Sequence, residues 1–225
     1  MVQPGSTPPE ESFRQELRTP AAAAVAGIVF SVILLTVLVL MHASVPAGSG
    51  AAAWLTDSGR RRSVQVAVTL IPFAGISFLW FIGVVRDRLG AREDKLFATV
   101  FLGSGLLFVA MLFVTSSFLG TILVLFSRGV PVEAETIAAL QVLTRELMGA
   151  FGARMAAVFT LSVTSVGLRT GLLPRWLVVV GLVAAVLLLA SPPLTGWVQL
   201  VFPVWVLLVS AQFLRRPRAA SDGRS

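Results

Sequence analysis

Residues 21–41, AAAAVAGIVFSVILLTVLVLM, form an unbroken apolar run with no charged side chain. At about 1.5 Å per helical residue such a run covers about 30 Å, the hydrocarbon thickness of a bilayer. Lipid offers no partner to an open backbone, so the run has to be a helix that bonds its own amides. A secretory leader carries an apolar stretch of only about 7–15 residues, so the length predicts a retained first span. The rest of the chain has the same character. Of its 225 residues 56% are hydrophobic and 13% are charged, against about 25% charged in soluble domains. The mean hydropathy is +0.88. A soluble core of this length cannot bury so much apolar surface. The expectation is an all-α, polytopic transmembrane helical bundle.

Further spans follow from the apolar runs and their stops. Residues 64–85 hold Pro72 and Gly75 in their interior, which predicts a kinked helix. The charges of Arg86–Lys95 end that span, because they cannot enter lipid. The run 96–126 is too long for one straight crossing, so the span is set at 96–118 and 119–126 continue to the interface, bending at Gly120. Pro131, Glu133 and Glu135 mark a helix start. Apolar residues then recur at Ile137, Leu140, Leu143, Leu147 and Phe151, the pattern of an interfacial amphipathic helix that leads into a fourth span at 147–168. Pro174 opens and Trp176 anchors a fifth span at 176–190. SPPLTG (191–196) is a turn, and the sixth span is 197–214. Residues 1–19 and 215–225 are polar tails flanking a single domain, 20–214. The alternative is five crossings, with the last two helices as a re-entrant pair. No internal repeat is visible, which removes support from inverted-repeat transporters.

Basic residues orient the bundle. With the N-terminus inside, the cytoplasmic segments hold Arg14, Arg18, Arg86, Arg88, Arg92, Lys95, Arg169, Arg175, Arg215, Arg216, Arg218 and Arg224. The opposite side holds only Arg60, Arg61, Arg62, Arg128 and Arg145. The positive-inside rule then predicts a plasma-membrane protein with both termini cytoplasmic, although the triple Arg at 60–62 runs against it.

Rare residues exclude many chemistries. Without Cys there is no thiolate metal site, iron–sulfur cluster or Cys nucleophile, and a single His, His42, excludes His-rich metal sites. The one Lys, Lys95, lies in a charged run, so no mid-helix Schiff base is available. No Asp or Glu falls in the middle of a span, which disfavours a proton- or cation-coupled pump. No nucleophile elbow, Walker A loop or Rossmann glycine pattern occurs. The net charge of +7 comes without a basic stripe interleaved with aromatics, so no nucleic-acid partner is expected. No cofactor and no metal is expected either.

Charge inside a span is a functional signal by default, and Arg154 stands about 10 Å past Leu147 along the fourth helix. With Glu146 as counter-charge, Arg154 and the hydroxyls of Ser116, Thr121 and Ser162 would line an anion or lipid-headgroup pocket; Thr115, Ser117, Thr160, Thr164 and Ser165 add polarity nearby. The competing reading has Arg154 snorkelling to the interface and the hydroxyls bonding their own helix carbonyls. Gly149 with Ala153, and Gly152 with Ala156, repeat at a spacing of four. That pattern lets helices approach closely, either within the chain or across a homodimer seam. Arg60, Arg61 and Arg62 read as a membrane flank, and His42 as a solvated interface residue.

Arg169-Thr170-Gly171-Leu172-Leu173-Pro174-Arg175-Trp176-Leu177 resembles the turn joining two late helices in a bacterial, actinobacterial-type family of multi-pass membrane proteins of unknown function. The charged turn Arg86–Lys95 and the layout of about six helices are similar too. The resemblance implies the fold and no activity. The leading functional expectation is a non-enzymatic accessory or scaffold subunit, with membrane lipids and a membrane protein or a second copy as partners. The alternative is a small carrier or lipid/anion-binding protein with its pocket near Arg154. A membrane-embedded enzyme ranks last.

Overall fold

The computed structural model describes residues 20–45, 52–89, 95–190 and 196–215. The expected tail 1–19, all of the expected tail 215–225 but Arg215, and most of the 191–196 turn lie outside these residues, as do the side chains of 20–23 and 87–97. Among the described residues there is no strand. The helices are α1 (Pro20–Ser44), a single turn α2 (Ala53–Thr56), α3 (Ser58–Leu89), α4 (Lys95–Ser127), α5 (Ala134–Glu146), α6 (Ala153–Arg169), α7 (Arg175–Ala190) and α8 (Val201–Arg215). A turn of π-helix, Leu147–Gly152, joins α5 to α6, and a 3₁₀ turn, Gly196–Leu200, leads into α8. Five helical stretches are long and apolar enough to cross a membrane: Ala24–Ser44, Ser58–Arg86, Ala98–Ser127, Ala134–Arg169 and Gly196–Arg215. The sixth, Arg175–Ala190, is apolar and shorter.

The chain path sets two ends of the bundle. Gly196 lies against His42 at the end of α1, and Ser210 lies against Gly27 near its start. The last helix therefore runs antiparallel to the first, and Pro20 and Arg215 share one end. Arg86 and the Arg169–Arg175 turn belong to this tail end. The other, the cap end, holds the end of α1, the turn α2 with the start of α3, the connection between α4 and α5, and the 3₁₀ turn Gly196–Leu200. The α7 helix carries the chain from the tail end back towards Gly196 at the cap end.

Two rods run past a single crossing, and the face of α5 is not the one its apolar residues mark. The α4 helix is continuous through Gly120 and has 33 residues, so 119–127 stay helical beyond the expected span. The amphipathic helix and the fourth span are one rod of 36 residues, Ala134–Arg169, about 54 Å long. Both rods overshoot the hydrocarbon thickness, and the overshoot is packed. At the cap end Trp54, Leu55, Val64, Ile122 and Ile137 form a small core of their own, which gives apolar side chains outside the lipid a place to bury. The face of α5 also differs from the expected one. Leu143 and Phe151 are 42% and 59% exposed, whereas Ile137, Gln141, Thr144 and Met148 are buried. Lipid tolerates Leu and Phe, so burial goes to the side chains that have protein to meet.

The main core is centred on phenylalanines. Phe78 of α3 lies 4.5 Å from Phe30, 5.0 Å from Phe159, 5.5 Å from Phe108 and 5.7 Å from Phe202, measured between ring centroids. One ring thus ties five helices together, mostly with the tilted or edge-on geometry that aromatic quadrupoles prefer. Glycines set two of the turns. Gly129 and Gly171, at φ +65° and +66°, take the left-handed conformation that ends α4 and α6. Behind Gly129, Val130 N–H donates to Leu125 O at 3.1 Å. Behind Gly171, Leu173 N–H donates to Gly167 O at 3.2 Å, and Pro174 O then accepts the first amides of α7.

Candidate functional site

A cavity of about 410 Å³ opens among α1, α3, α4, the α5–π junction and the 3₁₀ turn. That volume falls within the range of about 300–1,000 Å³ usual for small-molecule sites. Its apolar wall comes from Leu34, Val37, Leu38 and Met41 of α1, Ile71 of α3, Leu112 and Leu119 of α4, and Met148 of the π-turn. Its polar wall comes from His42, Thr115, Gln141, Thr144, Arg145 and Gln199, with Trp197 beside them.

The helices place the two walls at different depths. About 30 Å of hydrocarbon takes about 20 helical residues. Counted back from Arg169 and Arg215, that length reaches the neighbourhood of Gly149 and Gly196. Gln141, Thr144, Arg145 and Trp197 thus lie at the cap-end interface. Leu34 precedes His42 by eight residues, which puts it about 12 Å deeper along α1. The cavity is polar where the membrane becomes wet and apolar where it is dry.

Each polar group has a local cause. Gln141, Thr144 and Met148 follow one another at spacings of three and four, and so share one face of a helix. The Thr144 hydroxyl donates to Leu140 O at 2.7 Å. Arg145 Nη2 donates to Val45 O at 3.3 Å, which ties the π-junction to the end of α1. His42 Nδ1 lies 2.7 Å from Leu38 O. A carbonyl only accepts, so Nδ1 carries the hydrogen and Nε2 faces the Gly196 backbone, where a Cβ would overlap it. The His42 ring lies 4.8 Å from that of Trp197. Thr115 is 8% exposed, and its Oγ1 is buried without a hydrogen-bond partner. A buried hydroxyl in that condition costs free energy until something bonds it. The lining residues include no Asp or Glu. Among the described residues no three His, Cys, Asp or Glu side chains converge as a metal site would require.

The residues expected to form the site do not line this cavity. Arg154 Nη1 donates back to Ala150 O one turn earlier. Ser162 donates to Val158 O at 2.9 Å and Thr121 to Ser117 O at 2.8 Å, also within their helices. Ser116 is buried and Glu146 half-buried, and neither is in the lining. A hydroxyl in a helix surrounded by lipid finds its nearest acceptor one turn back. Gly149, Gly152, Ala153 and Ala156 are all buried within the single chain, so they serve packing inside it. His42 is half-buried in the cavity wall, in the last turn of α1. Arg61 does more than flank: it donates to Leu55 O at 2.6 Å and sits 5.1 Å from the centre of the Phe126 ring. The sequence reading missed Gln141, Arg145 and Gln199. The signal for the first was a polar stripe, Gln141–Thr144, on a helix otherwise read by its apolar residues.

Comparison of the chain with protein-family models, with curated proteins and with solved structures finds no match.

Proposed function

We propose that this chain is a non-catalytic, multi-pass protein of the bacterial plasma membrane that binds an amphiphilic molecule at one membrane interface. The observation that carries the reading is the cavity of about 410 Å³, apolar in its depth and polar at interfacial level. A molecule held there needs an apolar part for Leu34, Ile71 and Leu112 and a polar part for Gln141, Arg145 and Gln199. The excess of Lys and Arg at the tail end supports cytoplasmic termini, which would put the cavity at the outer leaflet. The expected scaffold role rested on missing catalytic groups, whereas the cavity is a positive feature.

Native mass spectrometry of the full chain, extracted gently from its own membrane, tests the reading. The expected result is a lipid-like mass retained by the wild type and lost in Leu112→Trp, which fills the cavity. A chain that emerges without any small molecule, and whose stability Leu112→Trp raises, would overturn it. A stoichiometric partner protein in place of a small molecule would return the scaffold reading.

A further inference from the structure

The walls of the cavity differ in how firmly they are held. Leu34, Val37, Leu38, Ile71, Leu112 and Leu119 are all buried, on helices that the phenylalanine cluster ties together. The cap-end side is different. There the 3₁₀ turn contributes Gly196, Trp197 and Gln199 to the lining, and none of its residues is buried. Val198 and Leu200 lean on the main core, whereas Trp197 is 63% exposed. Among the described residues no hydrogen bond joins the turn to another helix. At the mouth of the cavity its side-chain contact with α1 is made by His42. The bond to Leu38 O fixes that ring. Its Nε2 edge lies against the Gly196 backbone, and its centre is 4.8 Å from that of the Trp197 ring. A Cβ on residue 196 would overlap the imidazole, so only glycine seats it. Short 3₁₀ segments have poorer hydrogen bonds than an α-helix and mark hinges. Segments with few buried contacts open at a small part of the global unfolding cost.

We propose that Gly196–Leu200 is a lid over the cavity and that His42 is its latch. The proposal rests on the binding role given above and adds its route. A molecule enters and leaves at the cap-end interface when the turn parts from His42, while the buried walls stay in place. Trp197 is the moving half of the latch. Parting breaks one ring pair and one backbone contact, and it uncovers no buried residue of the turn. Opening α1 from α3 or α4 instead would break the buried Phe30, Phe78 and Phe108 contacts, so the lid is the cheaper way in.

The chain has no Cys, so a cysteine inside the cavity reports entry whatever the ligand is. Leu112→Cys stands on a buried wall of the lining. It is made in the full chain in maltoside micelles, and its reaction with N-ethylmaleimide is timed. Ser127→Cys, at an exposed position outside the lining, is the reference in each background. Trp197→Ala is expected to speed labelling of Leu112→Cys about threefold to tenfold, the range one aromatic pair supplies. Trp197→Phe, which keeps a ring, should stay near the parent rate. Gly196→Ala, which pushes His42 off its seat, should speed labelling about tenfold or more. The reference should react at one rate throughout. Trp197 is exposed, so its variants keep the test open even where Gly196→Ala fails to fold. Equal Leu112→Cys rates in every background would overturn the lid and leave the cavity a binding site, which native mass spectrometry of the unaltered chain tests separately. A Leu112→Cys that reacts in none of them would overturn entry to the cavity as well.

Discussion

At the residue scale, the side chains that matter are those whose polar atoms are set by a neighbour across the bundle. Arg145 and Arg154 have the same chemistry and lie nine residues apart on one rod. One reaches Val45 on another helix, and the other returns to Ala150 on its own. Asp57 is a second case. Its Oδ1 accepts Gly59 N–H at 2.8 Å and Arg60 N–H at 3.1 Å, the arrangement of a helix N-cap at the start of α3. The Arg60 amide first, then that of Gly59, holds its carboxyl below the ordinary carboxylate value. A carboxyl with a depressed folded pKa contributes its support above the unfolded value and loses it as pH falls through the folded one. Hydrogen exchange should therefore show the Gly59 and Arg60 amides protected at neutral pH and released in acid. In Asp57→Ala they should exchange fast at both. Equal protection in the variant at neutral pH would remove the cap from the account.

At the element scale, close helix contacts decide which glycines can be replaced. Gly181 of α7 faces α6 and α8, and a Cβ there would overlap Thr164 Oγ1 and lie 2.8 Å from Trp205 Nε1. Both of those atoms are buried without partners, so they have nowhere better to move. Gly103 of α4 has no atom within 4 Å of the same position. Gly181→Ala should destabilise the detergent-solubilised protein by about 1–3 kcal/mol through overpacking. Gly103→Ala should be neutral or stabilising by up to about 1 kcal/mol, because Ala is the better helix former. Thermal unfolding of the two variants side by side checks the order, and equal melting temperatures would contradict it. The π-turn Leu147–Gly152 is the other element-level feature. Such turns gather at functional sites, and this one contributes Met148 to the cavity and begins two residues after Arg145.

At the scale of the whole molecule, the antiparallel pairing of α1 with α8 puts the Arg169–Arg175 turn at one end and the Ser127–Ala134 connection at the other. The chain has no Cys, so single cysteines report position without background. Thr170→Cys and Ser127→Cys, both at exposed positions, should react with an impermeant maleimide from opposite sides of the membrane. Thr170→Cys should be reached only from the cytoplasmic side. Labelling of both from one side would mean that the rod 134–169 does not cross. This scale also explains the long α4 and the joined α5–α6 rod. They extend past the lipid because Trp54 and its neighbours supply a second core there.

Hydropathy by itself determined that the chain is an all-α bundle with several helices long and apolar enough to cross a membrane. An apolar run in lipid has no backbone partner but itself, so that outcome needs no tertiary information. The resemblance turn Arg169–Trp176 was legible for a similar local reason: Gly171 ends one helix and Pro174 caps the next. The tertiary structure alone decided which polar side chains meet. At an interface, lipid as well as the bundle can take the apolar face of a helix, so hydrophobic periodicity does not say which face of α5 turns to the bundle. The buried face carries Gln141, Thr144 and Met148, and only its packing against α4, with Arg145 reaching Val45 O just past the end of α1, brought Arg145 and His42, far apart in sequence, into one wall.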